Sequence, residues 1–224
     1  MRGRVIAVVG VALGLLVAAT SGAAVAQTES GTDVEVQVDE SGDAVWTVTT
    51  TLELEGEDEQ QAFDNMDNQV AAERAASRFQ GFAERAENQT GREMSVELVS
   101  ADTEREGNTG TVTVELEWAG FGTSDGDTGN VTVDDIFEGG LSLEEGMTVT
   151  VRAPDGYEVG NEDATGAEVN ESYVRWTGPV EVEEDVSFVF ESTGTDGEEG
   201  GEGLPGFTAV AALVATAMVA YRLR

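Results

Sequence analysis

Apolar and polar residues alternate along Asp33 to Asp39 (DVEVQVD), which puts Val34, Val36 and Val38 on one face of an extended segment. The alternation returns from Ala44 to Leu54 through Trp46, Val48, Thr50 and Leu52, after the turn chemistry of Glu40-Ser-Gly-Asp43. Two such runs joined by a short polar link predict a β-hairpin with one buried face. From Glu59 to about Asn88 the period lengthens, with Phe63, Met66, Val70, Ala75, Phe79, Phe82 and Ala86 at helical spacing. This predicts one long amphipathic helix, ending by Thr90-Gly91 with Arg78, Arg85 and Arg92 toward its negative dipole end. Its Phe and Met stripe reads as core rather than as a ligand box. Strands are expected again at Glu93 to Ala101 and Thr111 to Ala119, with Arg105 to Gly110 turning between them. Shorter strands fit Asn130 to Val133, Thr148 to Arg152, Tyr173 to Thr177 and Val186 to Phe190. The predicted class is α+β, an antiparallel β-sheet packed on one long amphipathic helix, with continuation into a small sandwich left open.

Two hydrophobic stretches flank this pattern. Met1-Arg-Gly-Arg4, the apolar run Val5 to Val17 and the small residues closing in Ala24-Val25-Ala26 describe a secretory signal peptide over residues 1–26. Cleavage is expected between Ala26 and Gln27, an uncleaved anchor helix being the alternative. Residues 192–203 (STGTDGEEGGEG) lack large apolar side chains and read as a flexible linker after a domain spanning 27–191. Residues 204–224 open with Pro205-Gly206-Phe207 and run uncharged from Leu204 to Ala220, enough for a short transmembrane helix, flanked by Arg222 and Arg224. The Arg residues at both ends lie on the flanks away from the domain, so the positive-inside rule puts the domain outside the membrane.

Charge sharpens the picture. All 45 acids lie between Gln27 and Gly203 with seven Arg, a balance of −38, and the chain has no Lys, His or Cys. Such a surface repels phosphate backbones and excludes nucleic acid as a partner. Self-repulsion on this scale destabilises a compact state in dilute buffer, whereas multimolar salt shortens the screening length to about 3 Å or less. The composition resembles that of haloarchaeal proteins. With no Cys, no disulfide supports the fold and a packed core must.

The terminal pattern carries a more specific resemblance. Pro205-Gly206-Phe207, the hydrophobic stretch and the closing Arg cluster are similar to the PGF-type C-terminal sorting signal of archaeosortase substrates on haloarchaeal surfaces. That resemblance implies removal of the tail near the motif and its replacement by lipid, with signal peptidase and archaeosortase as processing enzymes. A plain helical anchor is the alternative. Val34 to Val48, Thr90 to Met94 and Thr111 to Phe121 resemble, in that order, an uncharacterised extracytoplasmic domain family of haloarchaeal membrane proteins. Relatives with a transmembrane helix and a cytoplasmic winged helix imply, for this chain, work in trans with a membrane sensor or transporter.

Chemistry is narrowed by what the chain lacks. Without His or Cys there is no Ser-His or Cys-His pair and no conventional zinc site; without Lys there is no Schiff base. Carboxylate pairs of glycosidase type survive on composition, but no pair stands out, and Trp46, Trp118 and Trp176 fall at core phases of strands. Asp125-Gly-Asp-Thr-Gly-Asn130 has the look of a calcium loop yet carries Ile136 where an EF-hand needs its twelfth-position Glu, so a solvated turn is expected. No catalytic, metal or cofactor residues are assigned. Asn88, Asn130 and Asn170 each open an Asn-x-Ser/Thr sequon, and export makes them glycosylation candidates, with Asn130 expected to be the most occupied. The expected function is a non-catalytic, cell-surface anchored binding or structural module of the envelope. The alternatives are an extracytoplasmic subunit acting in trans and a carboxylate-dependent glycoside hydrolase.

Overall fold

The computed structural model describes residues 28–66, 68–134, 141–182 and 186–193. The segments expected to be signal peptide, sorting motif and C-terminal helix lie outside them. Among the described residues no helix is long and apolar enough to cross a membrane.

The first predicted hairpin forms from β1 (Thr28–Val38) and β2 (Ala44–Glu53). Its turn is held by Asp39, whose Oδ1 accepts hydrogen bonds from the amides of Ser41 at 2.8 Å and Asp43 at 3.0 Å. Gly42 completes it at φ 89°, where a Cβ would also stand 2.7 Å from the Gly122 carbonyl oxygen. The hairpin of β3 (Ser95–Glu106) and β4 (Thr109–Ala119) is longer than predicted. Its strands run almost to Gly107, which takes φ 63° in the turn. A bulge between Leu98 and Ser100 leaves Val99 48% exposed on this edge strand. Bulges and outward charges such as Glu97 and Asp102 keep edge strands from pairing with other chains.

The helical region corrects the expectation of one continuous helix. It is split into α1 (Glu57–Asp64) and α2 (Asn68–Thr90). Asn65 interrupts it, its side-chain amide donating to the Gln61 carbonyl at 2.6 Å and its backbone amide to the same oxygen at 3.1 Å. Asn competes for backbone groups in this way wherever it meets a helix end. The predicted stop after α2 is present: Gly91 adopts φ 71° and its amide donates to the Glu87 carbonyl at 2.8 Å.

The remainder is β5 (Thr123–Ser124), β6 (Val131–Val133), β7 (Leu141–Leu143), β8 (Met147–Arg152), β9 (Tyr157–Asp163), β10 (Glu168–Asn170), β11 (Tyr173–Thr177), β12 (Val180–Val182) and β13 (Ser187–Ser192). Seven strands form the main sheet in the order β10-β11-β8-β1-β2-β4-β3, four form a second sheet in the order β5-β6-β13-β9, and β7 pairs with β12. The class is α+β and its sheets are antiparallel, except that β8 runs parallel to β1. With β2 holding one edge of β1, the chain comes back to the other edge by a long connection, and such a crossover permits parallel pairing.

Alternation sends Val34, Val36 and Val38 to the inner face of the main sheet, where they join Val48, Val114, Leu116, Val149 and Val151. Helix α2 covers this face over β3 and β4. The second sheet covers it on the β11 side, Phe188 meeting Trp176 with ring centroids 6.2 Å apart. Trp176, Phe121, Phe188 and Phe190 are fully buried, each contributing about 1.5–3 kcal/mol by leaving water. The polar exceptions in this core, Thr32 and Thr50, satisfy each other across β1 and β2 at 3.3 Å.

Candidate functional site

The outer face of the main sheet receives the polar half of every alternation. In β1 these are Asp33, Glu35 and Gln37, in β8 Thr148, Thr150 and Arg152, and in β11 Tyr173, Arg175 and Thr177. Register stacks them into rows: Asp33 faces Thr148, which faces Thr177; Glu35 faces Thr150, which faces Arg175; Gln37 faces Arg152, which faces Tyr173. A shallow, open cavity of about 400 Å³ lies here, lined by Asp33, Glu35, Thr148, Thr150, Arg152, Arg175 and Thr177.

The two arginines flank the Tyr173 ring, with Arg175 Cζ 4.4 Å and Arg152 Cζ 5.8 Å from its centroid. Arg152 forms an ion pair with Glu35. Arg175 is half-buried, and its Nε donates to Thr150 Oγ1 at 3.0 Å. Glu168 stands directly across the ladder from Arg175, yet its Oε1 accepts from the Tyr173 hydroxyl at 2.9 Å instead. Arg175 therefore has no carboxylate partner among the described residues, although the domain is overwhelmingly acidic. Stacking and the Thr150 bond hold its planar fork at the lining of the cavity, and its terminal nitrogens make no hydrogen bond among the described residues. A fork held this way suits bidentate recognition of a carboxylate or similar oxyanion.

The residues singled out in the sequence are distributed elsewhere. The Asp125 loop is a local turn: Asp125 Oδ1 accepts from the amides of Asp127 at 2.8 Å and Thr128 at 3.2 Å. Those bonds, the Asp127 one foremost, hold its carboxyl below the ordinary carboxylate range. Among the described residues no group of three or more acidic side chains could hold a metal ion. Trp118 and Trp176 are buried in the core and Trp46 packs against it, so no tryptophan lies with the acids of the outer face. Asn88 lies in the last turn of α2, Asn130 precedes β6 and Asn170 closes β10. Ala26, Gln27, Pro205, Gly206 and Phe207 fall outside the described residues. Arg152, Tyr173 and Arg175 were not legible as a group in the sequence. Alternation in TVTVR and YVRWT marks each as outward-facing, but only the pairing of β8 with β11 brings them together.

Fold and face thus define an α+β protein with a buried inner sheet face and an open polar one. The chain belongs to the family of a domain of unknown function, DUF7345, whose model matches residues 35–157. The match holds Glu35, Thr150 and Arg152 and stops at the first residue of β9, short of Tyr173 and Arg175. No curated protein matches the chain.

Proposed function

We propose that this protein is an exported, non-catalytic binding module of a haloarchaeal cell envelope, moored at the outer face of the membrane by its C-terminal segment. The observation that carries this reading is the placement of charge. Every acid lies between two hydrophobic ends whose Arg residues, Arg2 and Arg4 before the first and Arg222 and Arg224 after the second, sit on the sides away from the domain. The PGF-type tail supports lipid mooring after sorting, and the polar sheet face around Arg175 is the surface on which the module meets its partner.

Mass analysis of the native protein from the membrane fraction tests the reading. A chain beginning at Gln27, truncated near Pro205 and carrying lipid mass is the expected result. A full-abundance peptide ending in Arg224 rejects sorting in favour of a retained helix. A cytosolic chain still beginning at Met1 rejects export altogether.

A further inference from the structure

The three sequons are chemically alike but stand in different surroundings. Asn88 has its side-chain amide committed to the helix, donating to the Glu84 carbonyl at 2.6 Å, while the hydroxyl of its Thr90 accepts from the Arg92 amide at 3.1 Å. Asn130 is half-buried between β6 and the end of β13, its Oδ1 accepting from the Ser192 amide at 3.4 Å. Its Thr132 is locked inside the second sheet, paired on both sides, with Thr123 and with Val189.

Asn170 differs on each count. It closes β10 and is exposed, as are Glu171 and Ser172 in the turn before β11. Its Oδ1 accepts three hydrogen bonds, from the Ser172 amide at 2.8 Å, the Ser172 hydroxyl at 3.1 Å and the Tyr173 amide at 3.1 Å. Its Nδ2 donates to nothing among the described residues, and the residue is exposed. Donors on the amide oxygen stabilise the negative charge that gathers there as the nitrogen loses a proton. The sequon is therefore already folded on itself, with the hydroxyl beside the carboxamide and the reacting nitrogen free of internal hydrogen bonds.

We propose that Asn170 is the residue on which this protein carries an N-linked glycan, a modification that rests on the export reading because the donor lies outside the cell. The donor is a saccharide joined through C1 to the phosphate of a lipid carrier. Nδ2 of Asn170 bonds to C1 as the C1–O bond to the phosphate breaks; the phosphate leaves with the bonding pair, and one Nδ2 proton passes to a base of the transferase. Because Asn170 faces Tyr173 in the ladder, the glycan borders the outer sheet face.

Peptide mapping of the native membrane-fraction protein decides the matter. The expected result is a chain beginning at Gln27 with sugar on the Asn170 peptide and none on those of Asn88 or Asn130. N170Q and S172A each remove the whole glycan mass, the second with the asparagine still in place, whereas N130Q leaves the mass of the glycan unchanged. A chain that begins at Gln27 with Asn170 bare, or an N170Q protein of unaltered glycan mass, overturns this inference and leaves export standing. A chain beginning at Met1 with bare sequons overturns both.

Discussion

The inner face of the main sheet is covered in two ways, and the two halves of the core differ in finish. Under the second sheet, Val131, Val133, Trp176, Phe188 and Phe190 are fully buried, and the Trp176 indole N–H donates to the Thr165 carbonyl at 3.4 Å. Under helix α2, Trp46, Phe82 and Leu98 stay partly open. There the stacked Trp46 and Trp118 rings, centroids 5.4 Å apart, carry buried indole N–H groups with no acceptor. A strand such as β13, hydrogen-bonded to β6 and β9, has its side chains set by the ladder on both sides and can reach interior packing density. Helix α2 has no ladder to index it and is tied to β3 through side chains, Gln80 Oε1 accepting from the Val96 amide at 2.9 Å and Asn68 Oδ1 from the Thr103 hydroxyl at 3.1 Å. The second sheet is the rigid part of this core and the helix the adjustable part.

Truncating a phenylalanine in each half gives the largest test. Phe188→Ala should cost about 3–5 kcal/mol, the usual range for a buried Phe, because β13 cannot move inward without breaking its ladders. Phe79→Ala removes a ring that meets Trp46 at 5.3 Å and Phe82 at 6.1 Å, but α2 can settle into the space, so its cost should fall about 1 kcal/mol or more below that of Phe188→Ala. Urea unfolding at fixed molar salt reads both. Equal costs would mean that the helix is as tightly indexed as the strand.

A smaller difference comes from one chemical change made twice. Trp176→Phe discards an N–H that has an acceptor; Trp118→Phe discards one that has none. Both lose similar ring area, so the contrast isolates the hydrogen bond. An unsatisfied buried donor costs about 1–3 kcal/mol, and its removal offsets part of the lost packing at position 118. Trp176→Phe should therefore be the more destabilising by about 1–3 kcal/mol in the same urea assay. If Trp118→Phe proves the costlier, its indole finds an acceptor in solution, and the helical half is better finished than its contacts suggest.

The two halves were also unequally legible in the sequence. Alternation in Val34, Val36 and Val38 and in Val112, Val114, Leu116 and Trp118 announced both long hairpins, because a half-buried strand writes its period directly into the chain. The helix was announced as well, but not its interruption. Phe63, Met66 and Val70 keep helical spacing straight across the break, and what ends α1 is the side chain of Asn65. β9 (YEVGNED) carries acids and a glycine in place of alternation, and its strand form comes from pairing with β13. The outer face was hidden for the same reason. Thr150 and Arg175 lie far apart in the chain, and no local period tells that β8 sits between β1 and β11.

The smallest expected effect lies at the junction of the helical half with its sheet. Asp64 ends α1, where a negative charge opposes the helix dipole. Arg105, near the end of β3, answers it with two bonds, Nε to Oδ1 at 2.7 Å and a terminal nitrogen to Oδ2 at 2.8 Å. The hydrogen bond from Arg105, more than its charge, holds the Asp64 carboxyl below the ordinary carboxylate range. A group whose folded-state pKa is depressed adds stability above its unfolded value and loses it as pH falls through the folded one. Because both side chains are substantially exposed, at 30% and 48%, the pair is screened in brine and its contribution is slight. Wild type should therefore exceed Asp64→Asn in stability by a small margin near neutrality, and that margin should shrink as pH falls from about 5 to about 3. With so many other carboxylates titrating, only the difference between the two proteins carries the signal, and adding Arg105→Gln to both should abolish it. A margin that persists with Arg105 gone cannot come from the helix end, where the charge is unfavourable; it would assign Asp64 another partner, and the clamp between α1 and β3 would drop out of the account of how the adjustable half is held.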